Sequence, residues 1–294
     1  MVSILKWTRE QIQFAHDLFK LEDQVANVLS FAVGAIVASG GIVPINLSLV
    51  CGFVAVVGAL LGTNLINQVA DVDIDRINKP HRPIPSGKLK AKTAVILTGV
   101  LYFISLFAAA MVSLEMIGLT VIYIFLGAAY SLRPFRFKEK LVLSNLSIAI
   151  WYNFVNFLIG WVVFRPVLEA PYALLTLLFL YDMIAINSKD YPDVEGDKKH
   201  GAKTLPVILG IDRALRLDLI MHSIIQIAFI ILGALGMVEK YISVIAAIML
   251  AVTIYIHYDA HRHKNYMKFY YISFGMHIII RLLVLILFFS KNFN

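Results

Sequence analysis

The chain has 294 residues, of which 60% are hydrophobic and 15% are charged, and its formal net charge is +7. A soluble domain has a smaller apolar share and about 25% charged residues, so this composition indicates an integral membrane protein and excludes an ordinary soluble domain. The single cysteine, Cys51, excludes an intrachain disulfide.

The N-terminal stretch 1–23 carries apolar residues at helical intervals, such as Leu5, Ile12 and Phe19, and predicts an amphipathic helix on the membrane surface. The apolar runs that follow approach the roughly 20 residues that a membrane-spanning helix needs. They lie at about 25–43, 47–66, 93–114, 116–132, 141–164, 171–187, 214–236, 241–257 and 269–289. We therefore expect an all-α integral membrane protein with about nine transmembrane helices, forming a single domain over residues 1–294.

Lysine and arginine concentrate in alternate connections between the apolar runs. Nineteen of the 26 lie in connections 71–92, 131–140, 188–216 and 258–268. The connections on the opposite side hold only Arg165 and Lys240. Because cytoplasmic loops carry an excess of Lys and Arg, the first set and the N-terminus are expected in the cytoplasm, with the C-terminus outside the cell membrane. The positive charge reflects this topology rather than binding to nucleic acid.

Two acidic stretches begin where the second and sixth apolar runs end. Read as a helix, the first presents Asn67, Asp71 and Asp75 four residues apart on one face. The second presents Asp190, Asp193 and Asp197 on one helical face. Carboxylates this close repel one another unless a hard cation binds them, and such oxygen ligands suit magnesium or calcium.

Basic residues follow both acidic stretches, for example Lys79 and Arg82 after the first and Lys198 and Lys203 after the second. Magnesium is commonly bound by a few carboxylates together with substrate phosphates, so acid and base in one place predict a metal-bridged diphosphate. Apolar helices below such a site would accept a long hydrocarbon tail. The sequence therefore predicts a prenyl diphosphate as the ligand.

Both stretches resemble the signatures of the UbiA superfamily of intramembrane prenyltransferases. The first signature is matched by Asn67, Gln68, Asp71, Asp75, Asn78, Pro80, Arg82, Pro83, Ser86 and Gly87. The second is matched by Lys189, Asp190, Asp193, Gly196, Asp197, Thr204, Leu205 and Pro206. The stretch from Tyr130 to Lys138 also looks like the family, as a third part of the site. Gln68 stands where many members have Asp, although some members with aromatic acceptors share Gln there.

The resemblance implies about nine helices around a central cavity, with a cytoplasmic cap formed by the connections that carry the two Asp-rich motifs. It implies Mg²⁺-dependent transfer, with two ions, of an isoprenyl chain from a prenyl diphosphate such as geranylgeranyl diphosphate to a lipophilic acceptor. The metal would be bound, directly or through water, by Asp71, Asp75, Asp190, Asp193 and Asp197, with Asn67 also at the site. The diphosphate would be held by Arg82, Lys138 and Lys189, while the ring of Tyr130 would stabilise the allylic cation.

Two kinds of acceptor remain open at this stage. Gln68 and the stretch from Tyr130 to Lys138 resemble enzymes that prenylate aromatic precursors of quinones, tocopherol or chlorophyll. Stretches 193–199 and 201–206 instead resemble archaeal enzymes that prenylate geranylgeranylglyceryl phosphate in ether-lipid synthesis.

Ionisable residues also lie inside the predicted spans, where they are expensive. Asp182, His277 and Arg281 are candidates for acceptor binding at the cavity, and a purely structural pair of Asp182 with Arg281 is the alternative. A function of another class, a divalent-cation transporter with acidic clusters at its cytoplasmic mouth, is the alternative to the enzyme.

Overall fold

The computed structural model describes residues 9–19, 21–199 and 203–292. Within these residues every regular element is helical. The α-helices are α1 (Arg9–Phe19), α2 (Leu21–Ala38), α3 (Leu47–Ala70), α4 (Val72–Asn78), α5 (Ala91–Ala110), α6 (Leu114–Ser131), α7 (Leu141–Ala149), α8 (Asn156–Trp161), α9 (Tyr172–Ala185), α10 (Val194–Lys199), α11 (Leu205–Leu209), α12 (Ile211–Ala234), α13 (Lys240–His263) and α14 (Tyr266–Asn292). A π-helical segment, Ile150–Val155, joins α7 to α8, and a 3₁₀ turn, Ile186–Asp190, follows α9.

Seven helices among the described residues are long and apolar enough to cross a bilayer. They are Leu47–Ala70, Ala91–Ala110, Leu114–Ser131, Leu141–Trp161, Ile211–Ala234, Lys240–His263 and Tyr266–Phe289. The two other predicted spans coincide with α2 and α9, which have 18 and 14 residues. The protein is an integral, multi-pass membrane protein, as its composition predicts.

The apolar helices pack in a closed circuit. Contacts run from α2 to α3, from α3 to α5 and α6, and from α6 to α7. They continue from α7 to α9, from α9 to α12, from α12 to α13 and from α13 to α14. Finally, α14 packs back against α2. Helices from the beginning and the end of the chain are therefore neighbours, and residues far apart in sequence can share one site.

α2 and α8 approach each other closely. A Cβ atom at Gly34 would overlap the carbonyl oxygen of Phe157, and one at Gly160 would overlap the carbonyl oxygen of Phe31. Glycine is needed at both positions because only a missing side chain lets two membrane helices come this near. This contact fixes α2 against the segment that carries the π-helical turn.

Contacts between connections mark two opposite ends of the bundle. At one end Lys138, which follows α6, forms an ion pair with Asp71, which follows α3. At the opposite end Arg165, which follows α8, donates from Nε to the carbonyl oxygen of Ala38 at 2.8 Å. The first acidic stretch therefore lies at the end of the bundle where α3 and α6 finish, and Lys189, which lines a cavity together with Tyr130 of α6, places the second stretch near it.

Only part of the predicted amphipathic segment 1–23 is described, since residues 1–8 and 20 lie outside the described residues. The described part forms α1, which packs against α2 and α3. Gln68 Nε2 donates to the carbonyl oxygen of Leu18 at 2.6 Å, and Asn64 Nδ2 donates to that of Phe19 at 3.0 Å. The last carbonyls of a helix have no partner within it, so these two side chains of α3 complete the end of α1.

Candidate active site

The first acidic stretch is not the single continuous helix that the sequence predicts. α3 ends at Ala70 and α4 begins at Val72, and Asp71 at the junction has φ −106° and ψ 7°. The backbone hydrogen bonds nevertheless continue, because the Asp75 N–H donates to the Asp71 carbonyl at 2.8 Å. The chain therefore bends at Asp71, while the helical pattern of backbone hydrogen bonds is kept across the bend.

The second stretch departs further from one helical face. Asp190 ends a 3₁₀ turn, Asp193 lies in the following turn and Asp197 belongs to α10. Pro192 explains the interruption, since proline has no backbone N–H to continue the helical hydrogen bonds. The prediction of one helix was wrong here.

Cations from two connections surround the first stretch. Arg82 Nη1 lies 2.7 Å from Asp75 Oδ2. Lys138 pairs with Asp71, and Arg136 Nη2 lies 3.7 Å from the same carboxylate. These side chains are only 7–17% exposed. The structure therefore brings two predicted metal ligands, Asp71 and Asp75, into contact with two predicted diphosphate ligands.

The charged groups of the second stretch affect one another. Burial raises the pKa of the Asp190 carboxyl to about 6; the Lys189 ammonium opposes this shift, and Asp197 and Asp193 add to it. Burial alone lowers the pKa of Lys189, but Tyr130, which accepts a hydrogen bond from it, and Asp190 raise it overall. Lys189 thus links the second stretch to the third predicted part of the site.

A cavity of about 490 Å³ is lined by residues of all three parts. Asn67 and Lys79 come from the first stretch, Ser188 and Lys189 from the second, and Tyr130 from the end of α6. Apolar and aromatic side chains form much of the remaining wall, among them Leu60, Ile148, Trp151 and Phe274. Of the predicted site residues, Asn67, Tyr130, Lys189 and His277 line this cavity. Within the described residues, the five predicted metal carboxylates, Arg82 and Lys138 are not part of its wall.

The π-helical segment supplies three consecutive wall residues, Trp151, Tyr152 and Asn153. Such wide turns are rare and occur frequently at functional sites. Tyr130 packs edge-on against Trp151, with ring centroids 5.1 Å apart. None of the three residues was predicted, since the apolar run that contains them reads as an ordinary helix.

The ionisable residues predicted inside the spans do meet. Asp182 Oδ2 lies 3.4 Å from Arg281 Nη2, and Asp182 Oδ1 lies 2.5 Å from His277 Nδ1. Asp182 and Arg281 are each 3% exposed, whereas His277 reaches the cavity. Asn153 bonds to both members of the pair, and Arg281 Nε donates to Ser30 Oγ at 2.7 Å. Sequence reasoning missed Asn153 and Ser30, although polar residues inside apolar runs are a usable signal.

A second buried network holds the 3₁₀ turn that carries Lys189. Asn145 Nδ2 donates to Asn187 Oδ1 at 2.6 Å, and Asn187 Nδ2 donates to Asp218 Oδ1 at 3.0 Å. The Tyr191 hydroxyl donates to Asp218 Oδ2 at 2.6 Å. This network joins α7, the turn and α12. Asp218 lies inside a predicted span, and that position alone could have identified it.

The donor set suits a hard divalent cation, because the acidic groups offer carboxylate oxygens and no thiolate. Among the described residues, no three His, Cys, Asp or Glu side chains converge on a common point. Magnesium usually takes one or two carboxylates plus substrate phosphates rather than a cage made by protein alone. The residues present therefore fit an ion that is bound together with a phosphorylated ligand.

The model of the UbiA prenyltransferase family matches residues 27–275. The chain belongs to this family. The predicted family and the predicted enzyme class, a prenyltransferase that moves isoprenyl groups, are thereby confirmed. The family match gives no support to a divalent-cation transporter.

Two curated relatives and one solved structure show the range of similar proteins. The chain is 33% identical over 179 residues to the digeranylgeranylglyceryl phosphate synthase of Methanosphaera stadtmanae, covering 61% of this chain and 64% of the relative. It is 36% identical over 179 residues to a probable homogentisate phytyltransferase 2 of Oryza sativa, covering 56% and 44%. A UbiA homologue from Archaeoglobus fulgidus bound to GPP and Mg²⁺ has a similar fold, with a TM-score of 0.71 at 22% identity over 92% of this chain and 98% of the other. The chain thus matches less than two thirds of the length of these two curated relatives.

Proposed function

We propose that this protein transfers an isoprenyl chain from a prenyl diphosphate to a lipophilic acceptor inside the membrane. One observation carries the proposal: cations and carboxylates from three separate connections meet beside a cavity with a polar rim and an apolar wall. A diphosphate needs the charged groups, and a hydrocarbon chain needs the wall. Geranylgeranyl diphosphate is the donor we propose.

The proposed arrangement in the membrane is that of the sequence prediction. About nine transmembrane helices, with α2 and α9 added to the seven long ones, would surround a central cavity. The connections with the acidic stretches would form its cytoplasmic cap, the C-terminus would lie outside the cell membrane, and residues 1–294 would form one domain. The excess of Lys and Arg at the acidic end supports this orientation.

The fit of the donor set supports Mg²⁺ as the cofactor, and the presence of two acidic stretches supports two ions. The residues that would hold them, directly or through water, are Asn67, Asp71, Asp75, Asp190, Asp193 and Asp197. When bound, the ions would offset the negative charge of the departing diphosphate.

The chain's own cations would then change partners. Arg82 and Lys138, now paired with Asp75 and Asp71, would donate to diphosphate oxygens once metal occupies the carboxylates. Lys189 would approach the same diphosphate from the opposite stretch. As the bond between C1 and the diphosphate oxygen breaks, the electron pair leaves with the diphosphate, and these three cations stabilise it.

The allylic cation would be left against aromatic surface. Tyr130 and Trp151 lie in the cavity wall with their rings in contact, and a ring face attracts a cation. The apolar wall would also exclude water, which otherwise captures the cation before the acceptor does.

For the acceptor we favour geranylgeranylglyceryl phosphate, with an aromatic quinone-type precursor as the second candidate. Lys79 supports the first choice, since it is an exposed cation in the cavity wall that is suited to an acceptor phosphate. The relative from Methanosphaera stadtmanae is named a digeranylgeranylglyceryl phosphate synthase, which agrees with this choice. The relative from Oryza sativa, named for homogentisate, keeps the aromatic acceptor as the second candidate.

The test is transfer of radiolabelled geranylgeranyl diphosphate by the detergent-purified protein, with and without Mg²⁺, to geranylgeranylglyceryl phosphate and to homogentisate. Asp71→Asn is the active-site variant. Asp73→Asn is its matched control, because Asp73 lies two residues away, is 86% exposed and pairs only with Arg76 among the described side chains.

We expect a Mg²⁺-dependent product with the glyceryl lipid, lost in Asp71→Asn and kept in Asp73→Asn. Product with homogentisate alone would replace the acceptor and keep the reaction. Failure of the wild-type protein to bind the diphosphate would refute the proposed function.

A further inference from the structure

The cavity wall contains an imidazole that the diphosphate site does not use. His277 lies on α14, and its side chain is 13% exposed and lines the cavity. Its Nδ1 lies 2.5 Å from Asp182 Oδ1, whose helix, α9, leads directly to the turn with Lys189. A buried carboxylate therefore holds a histidine at the edge of the proposed reaction space.

The partner of Nδ1 favours one tautomer of the His277 ring. An ionised carboxylate only accepts hydrogen bonds, so Nδ1 is the donor and Nε2 of the neutral ring carries the lone pair. Within the described part of the chain no side chain bonds to Nε2. Because His277 is a wall residue, this basic nitrogen is available to a molecule in the cavity.

The Asp182 carboxylate is itself held by two further donors. Arg281 Nη2 lies 3.4 Å from Asp182 Oδ2, and the Asn153 amide donates to the same oxygen. Arg281 also donates to the carbonyl oxygen of His277, one turn before it on α14. The arrangement matches the principle by which a buried carboxylate selects the tautomer of a histidine and stabilises its protonated form.

We propose that His277 is the general base that takes the proton lost by the acceptor, with Asp182 and Arg281 as its positioning residues. The inference rests on the proposed function. In the step, the acceptor oxygen or ring carbon bonds to C1 of the isoprenyl cation, while the diphosphate keeps the electron pair of the broken C1–O bond. The acceptor's proton moves to His277 Nε2, so imidazolium and diphosphate are formed together with the prenylated product.

The base is needed because the acceptor becomes a strong acid once C1 has bonded to it. An apolar wall keeps bulk water away, so the proton must move to a fixed group. The charge of Asp182 stabilises the imidazolium, and the positive charge of Arg281 opposes it. Among the described residues, Tyr181 on α9, Phe274 on α14 and the more distant His222 on α12 also lie near His277, and Lys189 and Tyr270 line the same cavity.

The experiment compares the wild-type protein with His277→Asn. The Asn amide can still donate to Asp182, but it has no basic nitrogen. Four quantities are measured: kcat for transfer, KM for the acceptor, Mg²⁺-dependent binding of the donor, and release of diphosphate by hydrolysis of the donor when acceptor is absent. His277→Gln is the second variant, since its longer amide can also reach Asp182 if the first does not fold.

His263→Asn is the matched control. His263 Nδ1 lies 3.0 Å from Asp259 Oδ1, so it is another Asp–His pair, but its side chain is 59% exposed at the end of α13. A generic effect of removing such a pair would appear in this variant. We expect its kinetics to equal those of the wild-type protein.

For His277→Asn we expect kcat for transfer to fall by about 100-fold or more. Acceptor KM, donor binding and acceptor-independent hydrolysis should stay within about twofold. We also expect kcat of the wild-type protein to fall at acidic pH, and this fall should disappear in the variant. Unchanged kcat, whether or not the acceptor KM rises, would overturn the assignment. Loss of donor binding would overturn it as well. Absence of transfer by the wild-type protein would instead overturn the proposed function.

Discussion

The protein pairs carboxylates with cations in two regions that behave differently. We call the acidic stretches and the connections that surround them the mouth of the cavity. There, Asp71 and Asp75 bind Lys138 and Arg82, which come from irregular connections. In the interior, Asp182 on α9 binds Arg281 on α14, and each is 3% exposed. The mouth pairs can exchange a protein partner for a ligand, whereas the interior pair cannot separate without leaving a buried charge.

This difference assigns separate tasks to the two regions. The mouth offers charges whose partners can be replaced by metal and diphosphate. The interior fixes α2, α9, α14 and the π-helical segment relative to one another, and thereby holds His277 in the wall. Substitutions in the interior should therefore lower the free energy of unfolding, and substitutions at the mouth should lower the transfer activity.

The largest effect is expected from Arg281→Met, which removes one partner of the interior pair. The variant should lose about 3–5 kcal/mol of unfolding free energy, because the buried Asp182 carboxylate keeps His277 and Asn153 but loses the guanidinium that offsets its charge. Thermal unfolding in detergent measures the loss. The double variant Asp182→Asn with Arg281→Met should recover part of it, and a double variant no more stable than the single one would contradict the pairing.

Asp193→Asn tests the other region, the mouth. Transfer should fall by at least about 100-fold with the unfolding temperature unchanged, since even outer partners of a metal site contribute 10–100-fold. Glu195→Gln is the matched control, because Glu195 is an exposed acid two residues away. Equal activity in the two variants would remove Asp193 from the site.

Gly160→Ala tests how closely α2 and α8 pack in the interior, since a Cβ at this position would overlap the carbonyl oxygen of Phe31. We expect a loss of about 1–3 kcal/mol on unfolding in detergent. Gly118→Ala is the control, because nothing lies within 4 Å of a Cβ at that position. A neutral result for Gly160→Ala would mean that α2 and α8 are packed less closely than described.

The smallest effect is expected from Gln68→Glu, an isosteric change next to the mouth. The new carboxylate cannot donate to the Leu18 carbonyl, so the attachment of α1 should weaken by about 1–3 kcal/mol. Hydrogen exchange should accelerate in α1 and stay unchanged in α5. Uniform acceleration would show that Gln68 supports the whole bundle instead.

Hydropathy located the helices because a span needs a long apolar run, and each predicted run coincides with a helix of the described chain. The partners of the charges were harder to predict. Lys138 and Asp71 are 67 residues apart, and their pairing depends on how α3 and α6 are arranged in space. Family signatures nevertheless singled out both residues.

The interior partners of Asp182 escaped prediction for a different reason. Whether Ser30 and Asn153 face the pair depends on the rotation of their helices, and the π-helical segment shifts that rotation locally. Neither rotation nor a π turn has a clear signature in one sequence. The break at Pro192 could have been predicted, because proline interrupts a helix at a known position.

The most direct test of the central claim, that the cations of the mouth bind diphosphate, is equilibrium binding of a non-hydrolysable geranylgeranyl diphosphate analogue. Three purified proteins would be compared with and without Mg²⁺: wild type, Lys138→Met and Lys140→Met, in which an exposed lysine of the same connection is changed. We predict Mg²⁺-dependent binding to wild type and Lys140→Met, and affinity lower by about tenfold or more in Lys138→Met. Equal affinity in all three proteins, or no binding by any, would contradict the claim.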